Sequence, residues 1–162
     1  MKKIFLGIGA NLGDRETNLK IAVGRIEENI GHVIKSSSVF ETEPWGFKTD
    51  NQFLNMVVKV ETKLTPSEVL DSILMIETLL GRTRGVKQYS SRVIDIDLLL
   101  YEDLILNEKN LKIPHPLMHE RKFVLVPLCE IAPNLIHPVL KKSIRILLSL
   151  CKDQSNPLSA KL

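Results

Sequence analysis

The sequence predicts an α+β fold, a ferredoxin-like split β-α-β sandwich with added strands and helices. Three observations carry this expectation. Residues 3–9 form an apolar strand that runs through a glycine-rich turn into a helical stripe. A second helix with a strong start signal lies between two further strand patterns, at residues 54–62 and 93–101. The chain shows neither an internal repeat nor a low-complexity tract. A five-stranded doubly wound sheet competes with this reading, but the two helical crossovers leave room for antiparallel neighbours between them and favour the split arrangement. With 162 residues, 44% of them hydrophobic, one domain over residues 1–162 is expected, since a chain near 150 residues buries roughly two-thirds of its unfolded surface.

The elements follow in order. After the first strand, Leu19, Ala22, Val23, Ile26 and Ile30 recur at helical spacing, and Gly31 stops the helix. Residues 33–41 read as one strand rich in Ser and Val, ended by the turn Thr42-Glu43-Pro44-Trp45-Gly46. Residues 54–62 place Met56, Val58 and Val60 on one face and Asn55, Val57, Lys59 and Glu61 on a more polar one. Thr65-Pro66-Ser67-Glu68 joins a cap hydroxyl, proline at the first helical position and a glutamate reaching back. Val69, Leu70, Ile73, Ile76, Leu79 and Leu80 then supply the apolar stripe, and Gly81 ends the helix. Residues 93–101 are apolar except for Asp95 and Asp97, which favours a central strand. Leu104-Ile105-Leu106 suits a hairpin arm or a small excursion beside the core, residues 119–129 a short helix and residues 141–150 a final one, with residues 153–162 a frayed tail.

Charge and cysteine content narrow the function. Lys and Arg number 22 against 19 Asp and Glu, giving a net charge of +3, which admits anionic ligands without resembling a nucleic-acid coat. Cys129 and Cys151 have no metal-ligand spacing and are too few for a disulfide framework. The opening apolar run is cut by Gly7, Gly9, Asn11 and Asp14 before a secretory leader can form. No apolar stretch approaches the roughly 20 residues that span a bilayer. A cytoplasmic protein with no membrane partner is therefore expected.

Asp95-Ile96-Asp97 is the sharpest local feature, because strand alternation puts both carboxylates on one face with Cα atoms roughly 6.6 Å apart. Such a pair suits a hard cation that bridges to phosphate oxygens, although salt bridges to arginines or a solvated strand edge would also accommodate it. Arg82, Arg84, Lys87 and Arg92 precede it around Gly85 and Ser90-Ser91, as a cationic loop able to close over polyphosphate would. The spacing of Gly7, Gly9 and Gly13 misses the dinucleotide fingerprint, so these glycines read as a tight strand-to-helix connection, with Asn11 or Asp14 as a loop contact or cap. His115, held between Pro114 and Pro116, and Arg121 are candidate phosphate contacts, and His32 is explained by the nearby helix end. Trp45, Phe53, Asn55 and Phe123 could form the side of a site for a flat heteroaromatic ring, Asn55 being notable as a planar amide inside an apolar strand. A small RNA- or nucleotide-binding module using the basic loop remains the alternative, opposed by the two acids where phosphate would approach.

The ordered set GIGANLGD, SSSVFETEPWG, QFLNMVV, ETLLGRTR, SSRVIDIDLLLY, IPHP and ERKFVLVPLCEIAP, within residues 4–133, resembles the 6-hydroxymethyl-7,8-dihydropterin pyrophosphokinases of folate biosynthesis. The resemblance implies transfer of pyrophosphate from ATP to the pterin hydroxymethyl group, with AMP as the other product. It implies that Asp95 and Asp97 bind two Mg²⁺ ions and are catalytic together with Arg82 and Arg92. Arg82, Arg84, Arg92, Leu98, Leu111, Lys112, His115 and Arg121 would then border ATP, and Thr42, Glu43, Trp45, Phe53, Asn55 and Phe123 the pterin. A monomer acting on small molecules, with no nucleic-acid partner, is expected. Gln88 and Ser90, and Glu43 and Trp45, depart from residues common in the family's loop and turn.

Overall fold

The computed structural model describes residues 1–42, 52–81 and 93–160. Strand β1 (Lys2–Ala10) sets the architecture because both of its faces are covered. Alternation sends Ile4, Leu6, Ile8 and Ala10 to one face and Phe5, Gly7 and Gly9 to the other. Helices α1 (Arg15–Asn29) and α2 (Pro66–Leu79) close the first face, where Leu19, Ala22, Ile26, Val69, Ile73 and Ile76 pack on Ile4, Leu6 and Ile8. Helices α3 (Lys122–Ile131) and α4 (Ile144–Leu150) close the second, where Val124, Leu125, Leu128, Ile144 and Leu147 pack with Phe5, Val57, Leu99 and Leu100. The result is a mixed α/β fold with a central sheet between two helical layers. Each fully buried Leu or Ile in these layers contributes about 1.5–3 kcal/mol relative to exposure.

The helix starts are written in local chemistry. Asp14 Oδ1 accepts from Thr17 N at 3.1 Å, after Gly13 turns the chain with φ +67°. Thr65 and Glu68 form the expected reciprocal capping box on α2, and Ser143 caps α4. Among the described residues no helix is long and apolar enough to cross a membrane.

Strands β4 (Phe53–Thr62) and β5 (Asp95–Tyr101) flank β1, both antiparallel to it. Strands β2 (His32–Ser36) and β3 (Phe40–Thr42) pair along the far side of β4. The sheet order is β5-β1-β4-β3-β8, with β2 also beside β4, and β8 is Leu158–Ser159. Each of α1 and α2 therefore links two parallel strands with one strand between them. A small hairpin, β6 (Leu106–Asn107) with β7 (Lys112–Ile113), sits outside this sheet, which realises the expected hairpin arm.

Several expectations are corrected. The strand expected over residues 33–41 is two strands, because Ser37 takes over the ladder between them: its N–H donates to Val57 O and its hydroxyl accepts from Val57 N, both at 2.9 Å. β5 is an edge strand among the described residues, not a central one. Its apolar character comes from burial on both faces, and its open edge is met by His115 N, which donates to Leu99 O at 2.9 Å. The helix expected at residues 119–129 breaks at Arg121, whose backbone is extended, so that a 3₁₀ turn (Met118–Glu120) precedes α3. Residues 153–160 do not fray, since Leu158 and Ser159 pair with Glu41 and Phe40, and Ala160 N donates to Val39 O at 2.8 Å. Gly7 and Gly9 lie inside β1, as a strand over residues 3–9 requires, and of the three glycines only Gly13 sits in the turn.

Candidate active site

The second face of the sheet has a low floor at one end. Across it, Asp95 registers with Gly9 and Asp97 with Gly7, while on the other side of β1 Asn55 registers with Gly9 and Val57 with Gly7. The two carboxylates thus face the Asn55 amide across two glycines, at a separation of roughly 10 Å given the ordinary strand spacing. Gly7, Gly9, Phe53, Asn55, Val57, Asp95 and Asp97, together with Phe123 and Val124 from α3, line a solvent-open cavity with about 480 Å³ of empty space.

Glycine is required in this floor at one of the two positions. A Cβ on Gly7 would meet the Leu99 methyls at an ordinary 3.5 Å, whereas a Cβ on Gly9 would meet Asn55 Oδ1 at 2.8 Å. Gly9→Ala is expected to leave the melting temperature close to wild type while weakening several-fold any ligand that the Asn55 amide contacts, because Asn55 must rotate away. Calorimetric titration checks this, and unchanged affinity would contradict the placement.

On the acid side, Glu77 is the feature that sequence reasoning missed. It projects from α2 into the core, only 1% exposed, and its Oε2 accepts from Ile96 N at 3.0 Å. Ile96 is the residue between the two aspartates, so a helix carboxylate fixes the backbone from which both acids project. The signal was available: Glu77 falls on the apolar stripe of Val69, Ile73, Ile76 and Leu80. Glu77→Ala strands the Ile96 N–H and is expected to cost about 1–3 kcal/mol in denaturant unfolding. Glu77→Gln keeps an acceptor and should recover most of that loss.

His115 stands close enough to Asp95 and Arg121 to feel both charges. Burial first, and the Arg121 guanidinium second, push its pKa from 6.5 to about 4, with Asp95 opposing. Its Nδ1 accepts from Leu117 N at 3.2 Å, which leaves the proton on Nε2, so at neutral pH the ring is an uncharged donor. Because the folded state resists protonation, the contribution of His115 to stability is complete above pH 6.5 and is lost as pH falls from there to about 4. The total is on the order of 3 kcal/mol. Unfolding of His115→Gln should lack this slope, and an identical slope in the variant would exclude His115 as its source.

The aromatic side is built on β3, β4 and α3. Asn55 Nδ2 donates to Thr42 Oγ1 at 2.8 Å, with the two residues 7% and 4% exposed. This hydrogen bond orients the amide. Phe123, in the first turn of α3, borders the same cavity, and the Arg121 guanidinium lies 5.5 Å from its ring centroid.

Comparison with known proteins decides the family. Residues 5–133 match the family described as 7,8-dihydro-6-hydroxymethylpterin-pyrophosphokinase (HPPK). The chain belongs to this pyrophosphokinase family. A 2-amino-4-hydroxy-6-hydroxymethyldihydropteridine pyrophosphokinase of Aquifex aeolicus is 41% identical over 145 residues, covering 90% of this chain and 89% of the relative. The Bacillus subtilis protein of the same name is 44% identical over 128 residues, covering 78% and 76%. A Plasmodium falciparum HPPK-DHPS crystal structure superposes with a TM-score of 0.75 at 21% identity, covering 93% of this chain and 43% of that one. This last likeness speaks for the fold alone, and the chain spans less than half the length of that structure. Family membership makes the chain a transferase of folate biosynthesis that moves a pyrophosphoryl group from ATP to a dihydropterin.

Measured against the family's expected sites, the structure gathers Asp95, Asp97, Phe53, Asn55 and Phe123 around one cavity, with Thr42 behind Asn55. His115 and Arg121 adjoin the acid and aromatic sides. Leu98 and Leu111 are instead buried in the core facing α1 and α2, and Lys112 is exposed on β7. These three do not line the cavity. Glu43, Trp45, Arg82, Arg84 and Arg92 lie outside the described residues.

The donor set fits the pyrophosphokinase family's use of Mg²⁺ and ATP. Asp95 and Asp97 offer hard oxygen donors on one face beside the cavity. Among the described residues no group of three or more His, Cys, Asp or Glu converges on a point. Mg²⁺ commonly binds through one or two carboxylates and leaves its other positions to phosphate and water, so two acids are sufficient here.

Proposed function

We propose that ATP lies with its triphosphate along Asp95, Asp97, His115 and Arg121, and that the dihydropterin lies between Phe123 and Asn55 with its hydroxymethyl oxygen directed at the β-phosphorus. The observation that carries this reading is the placement of the acid pair and the Asn55 amide on one sheet face, across the glycine floor. Phe123 supplies a face for the ring, and Asn55, held by Thr42, reads its polar edge through complementary donor and acceptor groups. His115 donates through Nε2 to phosphate without adding charge, while Arg121 adds it. Mg²⁺, two ions on this reading and held by Asp95 and Asp97, would neutralise the triphosphate. The pterin oxygen forms the new bond to the β-phosphorus as the bond from that phosphorus to the α–β bridging oxygen breaks, the hydroxymethyl proton passes to solvent, and AMP leaves with the bridging oxygen. Arg82, Arg84 and Arg92 would hold charge on the transferred and leaving groups, and Leu98, Leu111 and Lys112 would border the nucleotide from the β5 and β7 side.

The ferredoxin-like plan is part of this reading, supported by the order β5-β1-β4-β3 and by two helical links that each step over one strand. We read the enzyme as a single-domain cytoplasmic monomer that takes only these small-molecule substrates. Incubation with ATP, Mg²⁺ and the hydroxymethyl dihydropterin should give AMP and the pterin diphosphate by chromatography. ADP as the nucleotide product would overturn the direction of attack.

A further inference from the structure

Residues 153–160 bond to residues beside both walls of the cavity, although the family match ends at residue 133. At one end, Asp153 Oδ2 accepts from Lys122 N at 2.9 Å, and its Oδ1 accepts from Ser155 N at 2.9 Å. Lys122 is the first residue of α3, and the residue before it, Arg121, makes no side-chain cap of its own. A carboxylate 31 residues away therefore performs the capping that the local sequence omits. The next residue, Phe123, is the aromatic wall. At the other end, β8 pairs with β3 through Glu41 and Phe40, and β3 ends at Thr42, the partner of Asn55.

The remainder of α3 has separate anchors. Val124, Leu125, Leu128 and Ile131 are buried in the second core layer, and Glu130 Oε1 accepts from Ser38 N at 2.5 Å. Asp153 ties the first residue of the helix, Lys122. Burial would raise the Asp153 pKa, yet the two backbone donors outweigh it and hold the group below its ordinary value, as a working cap requires.

We propose that residues 153–160 are a strap that sets the spacing of the two walls, with Asp153 a positioning residue that acts on the pterin through Phe123. This rests on the pterin placement given above. The stability lost with a cap of this kind sets a ceiling of about five- to tenfold on the change in pterin affinity.

The test is a double-mutant cycle on pterin affinity, measured by titration in the presence of a non-hydrolysable ATP analogue, with analogue affinity and melting temperature recorded alongside. Asp153→Ala should weaken the pterin by up to about five- to tenfold and the analogue by a clearly smaller factor, since Arg121 adjoins the capped residue. Asp153→Asn retains an acceptor for Lys122 N and should recover most of the loss. In a Phe123→Ala background, Asp153→Ala should have no further effect. Additive losses, equal loss of both ligands, or an Asp153→Ala protein that fails to fold would each overturn the proposal in favour of a global structural role. If Phe123→Ala weakens the pterin and Asp153→Ala does not, the strap fails alone; if Phe123→Ala leaves pterin affinity unchanged, the pterin placement fails with it.

Discussion

Asp97→Asn is expected to lower the rate of pyrophosphoryl transfer by on the order of 10³-fold while the circular dichroism spectrum stays that of the wild type, and Asp95→Asn should behave alike. Asp95 and Asp97 stand in register with Gly9 and Gly7 of β1, and on the proposed reading a metal held by them offsets the repulsion between two carboxylates and a triphosphate. Amide replacement keeps the size of each side chain and removes a hard, charged donor. The loss should therefore fall on metal-dependent turnover, with pterin binding in the absence of metal close to unchanged. Equal loss of turnover and of metal-free pterin binding, in a protein with altered circular dichroism, would assign the pair a structural role instead.

Asn55→Ala is expected to raise the pterin KM roughly 10- to 100-fold with a smaller effect on the ATP KM. Two losses combine. The substrate loses a planar amide, and the buried Thr42 hydroxyl loses its hydrogen-bond donor. Asn55→Asp separates them, because a carboxylate has the same shape but only accepts: the Thr42 hydroxyl can turn and donate to it, while the pterin loses the amide donor. If Asn55→Asp bound the pterin as well as wild type, the donor role of the amide would be excluded. An equal rise in both Michaelis constants would show that Asn55 supports the site as a whole rather than the pterin side.

Much of this arrangement was legible because local chemistry and tertiary position agree. The Thr65–Glu68 box, the Asp14 cap and the period-2 pattern of residues 54–62 each specify an element without reference to the rest of the chain. Asp95 and Asp97 stood out because ionised groups in an apolar run require a partner. The features that escaped notice depend on what faces what. β5 reads as central because burial on both faces is all that its composition records, and its edge position is set by pairing. Ser37 splits one strand pattern into two through a hydroxyl that imitates a backbone partner. Gly9 looks like a turn residue until Asn55 is placed opposite it. Asp153 and Lys122 are joined only by the fold, so a polar tail with few apolar residues reads as frayed although it caps a helix.

Leu98, Leu111 and Lys112 show the converse. The family resemblance assigned them to the nucleotide, and the structure sets them apart from the cavity, with the two leucines in the opposite core layer. The structure brings Asp95, Asp97, Asn55 and Phe123 together at the glycine floor and places those three outside the cavity lining.

The central claim is that the acid pair and the Asn55–Phe123 wall hold the two substrates on one sheet face with the glycine floor between them. A crystal structure of the ternary complex with Mg²⁺, a non-hydrolysable ATP analogue and the hydroxymethyl dihydropterin tests it most directly. The account predicts the pterin ring against Phe123 with its polar edge on Asn55, and the β-phosphorus between the hydroxymethyl oxygen and the Asp95–Asp97 pair. A pterin bound elsewhere than against Phe123 and Asn55, or a β-phosphorus remote from both carboxylates, would contradict it.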